Sequence, residues 1–421
     1  MTHPATHFSP LRRRIAAFAI LLALSFGLAP GVKADDSVST IDIKAREYIL
    51  VDFQTGTVLD SKNPDEHMPP SSMSKLMTAY VTFQALKSGK LSLTDELTVS
   101  QNAWKQGGAA SGGSTMFLNP GDKVKVEDLI RGMIIQSGND ACIVLAEGQA
   151  GSEEAFADQM NRTAKQLGLT NSHFVNATGL PTEQHYMTTR DLATLAHHII
   201  VDFPEYYPIF SETSFTYNNI TQGNRNPMLY RLGSGGDGLK TGHTEIAGFG
   251  LTGSAVRDGR RLILVANGMA SIHDRDEETA KLLDWGFREF VNRELFKAGD
   301  TVTDADVWLG DVATVPLAIA SDVVVTVPRA AAQSLEARAV YDGPLPAPIK
   351  QGAAVGKVVV TGANMTPIEV PLVAAASAGR LGFIGRLKAA AYYIFLGPPK
   401  PAQQSKPAET MGSSNLKPAS P

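Results

Sequence analysis

The sequence predicts an α/β protein of the α+β kind. One antiparallel sheet is flanked by helices and carries an all-helical insertion. A small all-β domain and a C-terminal amphipathic helix follow. Three observations lead there. Strand-like alternation occurs near both ends of the first 293 residues, helical periodicity fills the interval, and the composition turns to Val, Thr, Asp-Gly and Pro beyond Arg293.

The first 34 residues read as a leader and not as part of the fold. Arg12, Arg13 and Arg14 precede an apolar run from Ile15 to Leu28, and "GVKADD" offers a small-x-small cleavage site after Ala34. Basic, apolar and small-residue regions in that order describe a secretory signal peptide. An uncleaved anchor is the alternative, but the run is short for a spanning helix. The mature chain is expected to begin at Asp35, outside the cytoplasm. Cys142 is the sole cysteine, so no intramolecular disulfide is possible and stability must come from burial. Apolar content of 43% and charged content of 19% describe an ordinary globular chain, and a net charge of −4 excludes a broadly basic nucleic-acid surface.

Residues 35–293 form the first expected domain. "REYILVDFQTGTVLDS" (46–61) reads as two strands around a turn at Gln54-Thr55-Gly56. Helical spacing then dominates from Ser72 to about Ala196, broken by loops such as "QGGAASGGS" (106–114). "GFGLTGSAVRDGRRLILVANG" (248–268) alternates as a second hairpin, with Asp258-Gly259 as its turn, and "EETAKLLDWGFREF" (277–290) reads as a closing helix.

Residues 294–376 hold short alternating runs such as "SDVVVTVP" and "GKVVVTG", the pattern of a separate small β domain. Residues 377–397 include "GRLGFIGRLKAAAYYIFLG". Leu381, Ile384, Leu387, Ala391, Ile394 and Phe395 fall near one helical face, Tyr392 and Tyr393 suit a headgroup boundary, and the only charges, Arg380, Arg386 and Lys388, are positive. That pattern predicts a helix lying flat on anionic lipid, with a helix packed on the β domain as the alternative. The Pro/Ser/Lys tail, 398–421, is expected to be disordered.

The chemistry centres on "PPSSMSKLMTAY" (69–80). Met73, Leu76, Met77, Tyr80 and Val81 recur at helical spacing, so Ser72 and Lys75, three apart, share a helix face. Ser71, four before Lys75, has a similar opportunity. Alone, the stretch reads as a serine cap and a solvated lysine. Two further motifs change that. "QSGNDACIV" (136–144) breaks an apolar helical run at Gly138 and leaves Ser137 and Asn139 on a corner. "GDGLKTGHTEIAGFG" (236–250) sets Lys240, Thr241 and Gly242 at the entry to the second hairpin. The ordered set Ser-x-x-Lys, Ser-x-Asn and Lys-Thr-Gly marks penicillin-recognising serine enzymes.

Beyond these motifs, "FLNPGDKVKVEDLIRGMIIQSGNDA" (117–141), "ATGLPTEQHYMTTRDLA" (177–193) and "LLDWGFREF" (282–290) extend the similarity. The chain resembles the low-molecular-mass penicillin-binding proteins that act as serine D-alanyl-D-alanine carboxypeptidases, over residues 40 to 395. The resemblance implies a penicillin-binding/β-lactamase-like first domain. Its partners would be peptidoglycan stem peptides and β-lactam antibiotics, on the periplasmic face of the cytoplasmic membrane.

A serine hydroxyl is a poor nucleophile until a base takes its proton. With no Ser-His-Asp set in view, a lysine must serve, and burial beside a second cation lowers a lysine pKa. Ser72 is therefore assigned as nucleophile and Lys75 as base, facing Lys240 across the cleft. The resemblance implies that Ser137 relays the proton to the leaving D-alanine and that Asn139 holds the substrate amide. It further implies that Lys240 and Thr241 grip the terminal carboxylate. Gly242 lets the strand approach closely, and the backbone N–H groups of Ser72 and His243 form the oxyanion hole. Arg225 and Arg261 occupy positions where the family carries carboxylate-binding arginines, although Arg260 blurs the register of the second.

Cys142 reads as a buried small hydrophobe. His197 and His198 read as structural, and His173 and His185 are too scattered to be ligands, so no metal and no cofactor are expected. Asp191 is expected to brace a loop like the family's omega-like loop, where Thr178 stands in place of a histidine that some relatives carry. Three other readings compete. A class A β-lactamase would need a loop glutamate, for which Glu183 is the only candidate. An endopeptidase would cut D-alanyl cross-links, and a scaffold would bind the wall without catalysis.

Overall fold

The structure, a computed structural model, describes residues 41–362 and 365–396. The leader expected over 1–34 and the tail over 398–421 lie outside them. Strand β1 (Glu47–Asp52) turns at Gly56 into β2 (Val58–Lys62), as the first hairpin pattern predicts. A 3₁₀ turn, Ser71–Ser74, leads into α1 (Lys75–Lys87), and α2 (Gln101–Gly107), α3 (Val126–Ile134), α4 (Asn139–Ala150), α5 (Glu153–Gln166) and α6 (Thr189–Asp202) follow. Two short hairpins decorate this layer: β3 (Glu96–Thr98) with β4 (Lys123–Lys125), and β5 (Ser214–Tyr217) with β6 (Ile220–Gly223).

The chain then returns to the first sheet through β7 (Gly236–Thr244), β8 (Gly248–Arg257) and β9 (Arg260–Met269), giving an antiparallel order β2-β1-β9-β8-β7. The tight β8–β9 turn has Asp258 and Gly259 at φ 49° and 76°, the paired left-handed residues of a two-residue hairpin. Helix α7 (Ile272–Glu289) begins five residues before the sequence expectation, because the Ser271 hydroxyl accepts from the Asp274 N–H at 3.0 Å and caps it there.

Side-chain alternation explains why this sheet is covered on both faces. Ile263 and Val265 of β9 join the helical layer around α1 and α6, while Leu262, Leu264 and Ala266 join Leu282, Leu283 and Trp285 of α7. Each such Leu, Ile or Val side chain contributes roughly 1.5–3 kcal/mol when fully buried. Helix α1 is enclosed on every side, with Leu76 to Phe83 all buried. Its two internal threonines return their hydroxyls to carbonyls: Thr82 donates to Thr78 O at 2.8 Å and Thr78 to Ala177 O at 2.7 Å.

A second core forms beyond α7. Strand β10 (Phe290–Phe296) pairs with β13 (Val323–Pro328). Six more strands, β11 (Thr301–Trp308), β12 (Thr314–Ile319), β14 (Glu336–Tyr341), β15 (Leu345–Pro346), β16 (Ala354–Thr361) and β17 (Ile368–Ala374), form a sheet ordered β14-β16-β17-β12-β11-β15. Val315, Leu317, Val358, Val360 and Leu372 fill its interior. A buried polar network ties β10 to β1. The Asp52 carboxylate accepts from Arg260 Nε at 2.9 Å and from Asn292 Nδ2 at 3.2 Å, and Thr326 donates to Asn292 Oδ1 at 2.9 Å. Helix α8 (Phe383–Leu396) ends the described chain.

Candidate active site

The serines of the opening motif lie in the 3₁₀ turn, so α1 proper begins at Lys75 and not at Ser72. Ser71 adopts φ 50°, a conformation that residues with a side chain seldom hold outside constrained sites. Two walls constrain this one. A Cβ on Gly242 of β7 would approach Pro70 O to 3.0 Å, and a Cβ on Gly179 would approach Ser71 O to 2.0 Å. The close approach therefore requires glycine at Gly179 and favours it at Gly242.

The expected meeting of Ser72 and Lys75 occurs, with Nζ 2.9 Å from Ser72 Oγ. Nζ also contacts Asn139 Oδ1 at 2.8 Å and Thr178 O at 2.6 Å. Lys75 is almost wholly buried. That burial, above all, pushes its pKa below the ordinary lysine value, and Arg225 adds to the effect. With the amine neutral, as its burial favours, two carbonyl oxygens accept its two hydrogens and its lone pair meets a hydroxyl that can donate.

Ser137 and Asn139 sit where α3 gives way to α4. Ser137, at φ 61°, forms the corner, and the Asn139 N–H donates to Ser114 O at 2.8 Å. Asp140 holds the facing segment in place. Its fully buried carboxylate accepts from Thr115 Oγ1 at 2.6 Å, Met116 N at 2.9 Å and Leu118 N at 3.2 Å.

Across from this corner runs β7. Lys240 and Thr241 are buried, and His243, exposed, stacks on Phe249 with ring centroids 3.9 Å apart. Among the described residues the Lys240 amine has one long contact, 3.4 Å to Thr241 O. Its pKa lies well below the ordinary lysine value, first through burial and then through repulsion from Lys75 and Arg225.

Of the two arginines expected here, only Arg225 joins the group, its Nη1 donating to Ser114 Oγ at 2.7 Å. Arg261 does not. The register that sets Thr241 beside Leu251 and Leu251 beside Ala266 puts Arg261 five positions further down β9, about 17 Å away at strand spacing. There it is held by Asp237, with Nη2 2.8 Å from Oδ2, and by Tyr207 and Ser254. Arg260 is committed to the Asp52 junction.

The arginine that stands beside Arg225 is Arg275, which sequence reading missed. It enters from the first turn of α7, is buried, and donates through Nη2 to Arg225 O at 3.3 Å, while its Nε has no partner. Among the described residues, no carboxylate forms an ion pair with Arg225 or Arg275. Two guanidinium groups without a carboxylate partner, Arg275 buried and Arg225 exposed, stand beside Lys240, a setting that suits an anion.

Other expectations sort quickly. Cys142 is fully buried, and burial pushes its thiol up to about 12. Asp191 accepts from Asn171 N at 2.9 Å and Ser172 Oγ at 2.7 Å, bracing its loop. Thr178 contributes its carbonyl, and Glu183 is exposed. His197 packs on Phe53, and His198 contacts Asp202.

Comparison with known proteins supplies independent evidence. The family model described as D-alanyl-D-alanine carboxypeptidase, peptidase S11, matches residues 34–270, and that of the penicillin-binding protein 5 C-terminal domain matches 290–380. The chain is 42% identical over 385 residues to D-alanyl-D-alanine carboxypeptidase DacC of Escherichia coli strain K12, covering 91% of this chain and 96% of the relative. Crystal structures of penicillin-binding protein 5 from Haemophilus influenzae align with a TM-score of 0.73 at 38% identity, covering 81% of this chain and 99% of that one. D-alanyl-D-alanine carboxypeptidase DacD from Francisella tularensis gives 0.72 at 32% identity, covering 81% and 95%. With its serine turn, Ser-Gly-Asn corner and Lys-Thr-Gly strand converging on one cleft, the chain belongs to the peptidase S11 family of D-alanyl-D-alanine carboxypeptidases.

Proposed function

We propose that this chain is a serine carboxypeptidase that removes the terminal D-alanine from peptidoglycan stem pentapeptides through an acyl-enzyme. β-Lactams acylate the same serine. The observation that carries the reading is the 2.9 Å contact between Lys75 Nζ and Ser72 Oγ, with carbonyl oxygens at the amine's other two contacts. Burial of that amine favours its uncharged form, able to act as a base.

Lys75 takes the Ser72 proton as Oγ attacks the penultimate D-alanine carbonyl. The backbone N–H groups of Ser72 and His243 receive the oxyanion. The proton passes through Ser137 to the departing amine as the C–N bond breaks and D-alanine leaves. Water then attacks the ester, Lys75 again accepting a proton and returning one to Ser72. Asn139 holds the substrate amide, and the terminal carboxylate sits among Lys240, Thr241, Arg225 and Arg275.

On this reading residues 1–34 export the chain, 35–293 carry catalysis, 294–376 form the β domain, and 377–397 rest on the outer face of the cytoplasmic membrane. Support for the last comes from α8, where Phe383, Ile384, Leu387 and Ile394 are all exposed. No helix among the described residues is long and apolar enough to cross a membrane. Ending the chain after Ser377 should release it from membranes without loss of penicillin binding, and a shortened chain that still sediments with vesicles would place the attachment elsewhere.

The activity is tested by intact-protein mass spectrometry after benzylpenicillin, paired with D-alanine release from a pentapeptide. A penicilloyl adduct on Ser72, absent in Ser72→Ala and slowed by orders of magnitude in Lys75→Arg, is expected. An adduct on Ser71, or a chain that binds penicillin without releasing D-alanine, would overturn the assignment.

A further inference from the structure

The loop between α5 and α6 lies against the serine turn. Ala177 O accepts from Thr78, Thr178 O accepts from Lys75, and Gly179 abuts Ser71. Within this loop His185 is buried to 1% exposure, with Phe174 edge-on at 5.7 Å. Val175 N–H donates to its Nδ1 at 3.3 Å, so the ring proton belongs on Nε2, which lies 2.7 Å from Ser74 Oγ.

We propose that His185 is a positioning residue. It pins the loop to the serine turn so that the Thr178 carbonyl takes one N–H of Lys75 and the amine's lone pair stays on Ser72. The proposal rests on the acyl-enzyme reading above.

Three features support it. Glu153 and Asp191 fasten the same loop, but to Ala177 N and to Asn171 and Ser172, away from the serine turn. His185 makes a side-chain hydrogen bond to the turn itself, one residue before Lys75. Burial, followed by repulsion from His173 and Lys75, lowers its pKa to about 4, so the ring stays in the neutral form this geometry requires. The titratable and charged groups facing Lys75 are Lys240, Arg225, Asp140, Glu153, Cys142 and His185. If the pin is lost, water gains access to the amine, its desolvation weakens, and its pKa rises toward the ordinary value.

The test follows benzylpenicillin acylation of the full chain against pH, with thermal melting as a check on folding. His185→Phe keeps a ring of similar size and removes both hydrogen bonds. It should slow acylation by on the order of 10²-fold and move the acid-side midpoint up by roughly one pH unit. Ser74→Ala should move the midpoint in the same direction, and the double variant should be no worse than His185→Phe alone. A slower but folded variant whose midpoint stays at the wild-type value would show a merely structural role and overturn the proposal. So would a wild-type profile in either variant. If His185→Phe fails to fold, Ser74→Ala decides. A wild-type chain that is not acylated at all would instead overturn the functional reading.

Discussion

Arg275 Nη2 donates to the backbone carbonyl of Arg225 at 3.3 Å, binding two like-charged residues from distant parts of the chain to one wall of the cleft. Neither has a carboxylate partner among the described residues, and both lower the pKa of Lys240. Arg275→Gln should therefore reduce kcat/KM for peptides ending in a free carboxylate. Losing one charged hydrogen bond costs about 1.5–3 kcal/mol, or roughly 10–150-fold. The same peptides amidated at the C-terminus should be indifferent to the change. D-alanine or D-alaninamide release distinguishes the two, and equal losses on both would remove Arg275 from carboxylate recognition.

Arg261 should behave differently. Arg261→Met leaves Asp237 beside Tyr207 without its cation, a loss of about 1–3 kcal/mol in folding stability. The rate per folded molecule should be unchanged. Urea unfolding alongside penicillin acylation checks both halves, and a large acylation defect in a stable variant would restore Arg261 to the site.

Stability should also respond to acid through His185. Its ring takes up a proton at about 4 in the folded chain, below the ordinary 6.5. Between those values the unfolded chain binds the proton and the folded chain does not, so stability falls as pH drops through that window. The slope integrates to about 3 kcal/mol. His185→Gln should flatten it, as urea midpoints measured from pH 7 to pH 4 would reveal. An unchanged slope would mean that other groups govern the acid limb.

At the junction of the two cores, Asp52→Ala leaves Arg260 and Asn292 without their shared carboxylate. Removing one partner of a buried ion pair costs about 3–5 kcal/mol. A melting temperature close to that of the parent would indicate that the network relaxes around water.

Much of the fold was legible because its signals are local. Asp258-Gly259 and Gly56 announce their turns by composition, and the alternating stretch around Ile263 announces its strand. The serine turn was less legible, since periodicity cannot separate one 3₁₀ turn from the start of α1. The arginine pair was least legible. Arg225 and Arg275 meet only after α7 packs on the sheet, and nothing near Arg275 in sequence resembles a site. Arg261 was misleading because a strand position reveals which face a residue occupies but not how far along the sheet it lies. His185 could be read only as not a metal ligand, for a related reason: its partner Ser74 lies 111 residues away.

The serine turn is packed against both Gly179 and Gly242, closed to a methyl group at Gly179 and tight at Gly242. Any drug that acylates Ser72 must use the same opening as the natural peptide. A side chain at Gly179 would collide with the Ser71 carbonyl and shift the turn, and one at Gly242 would crowd Pro70 and Met73. On the proposed reading, a side chain at Gly179 cannot narrow the opening against a drug without also disturbing the serine turn that the natural reaction uses.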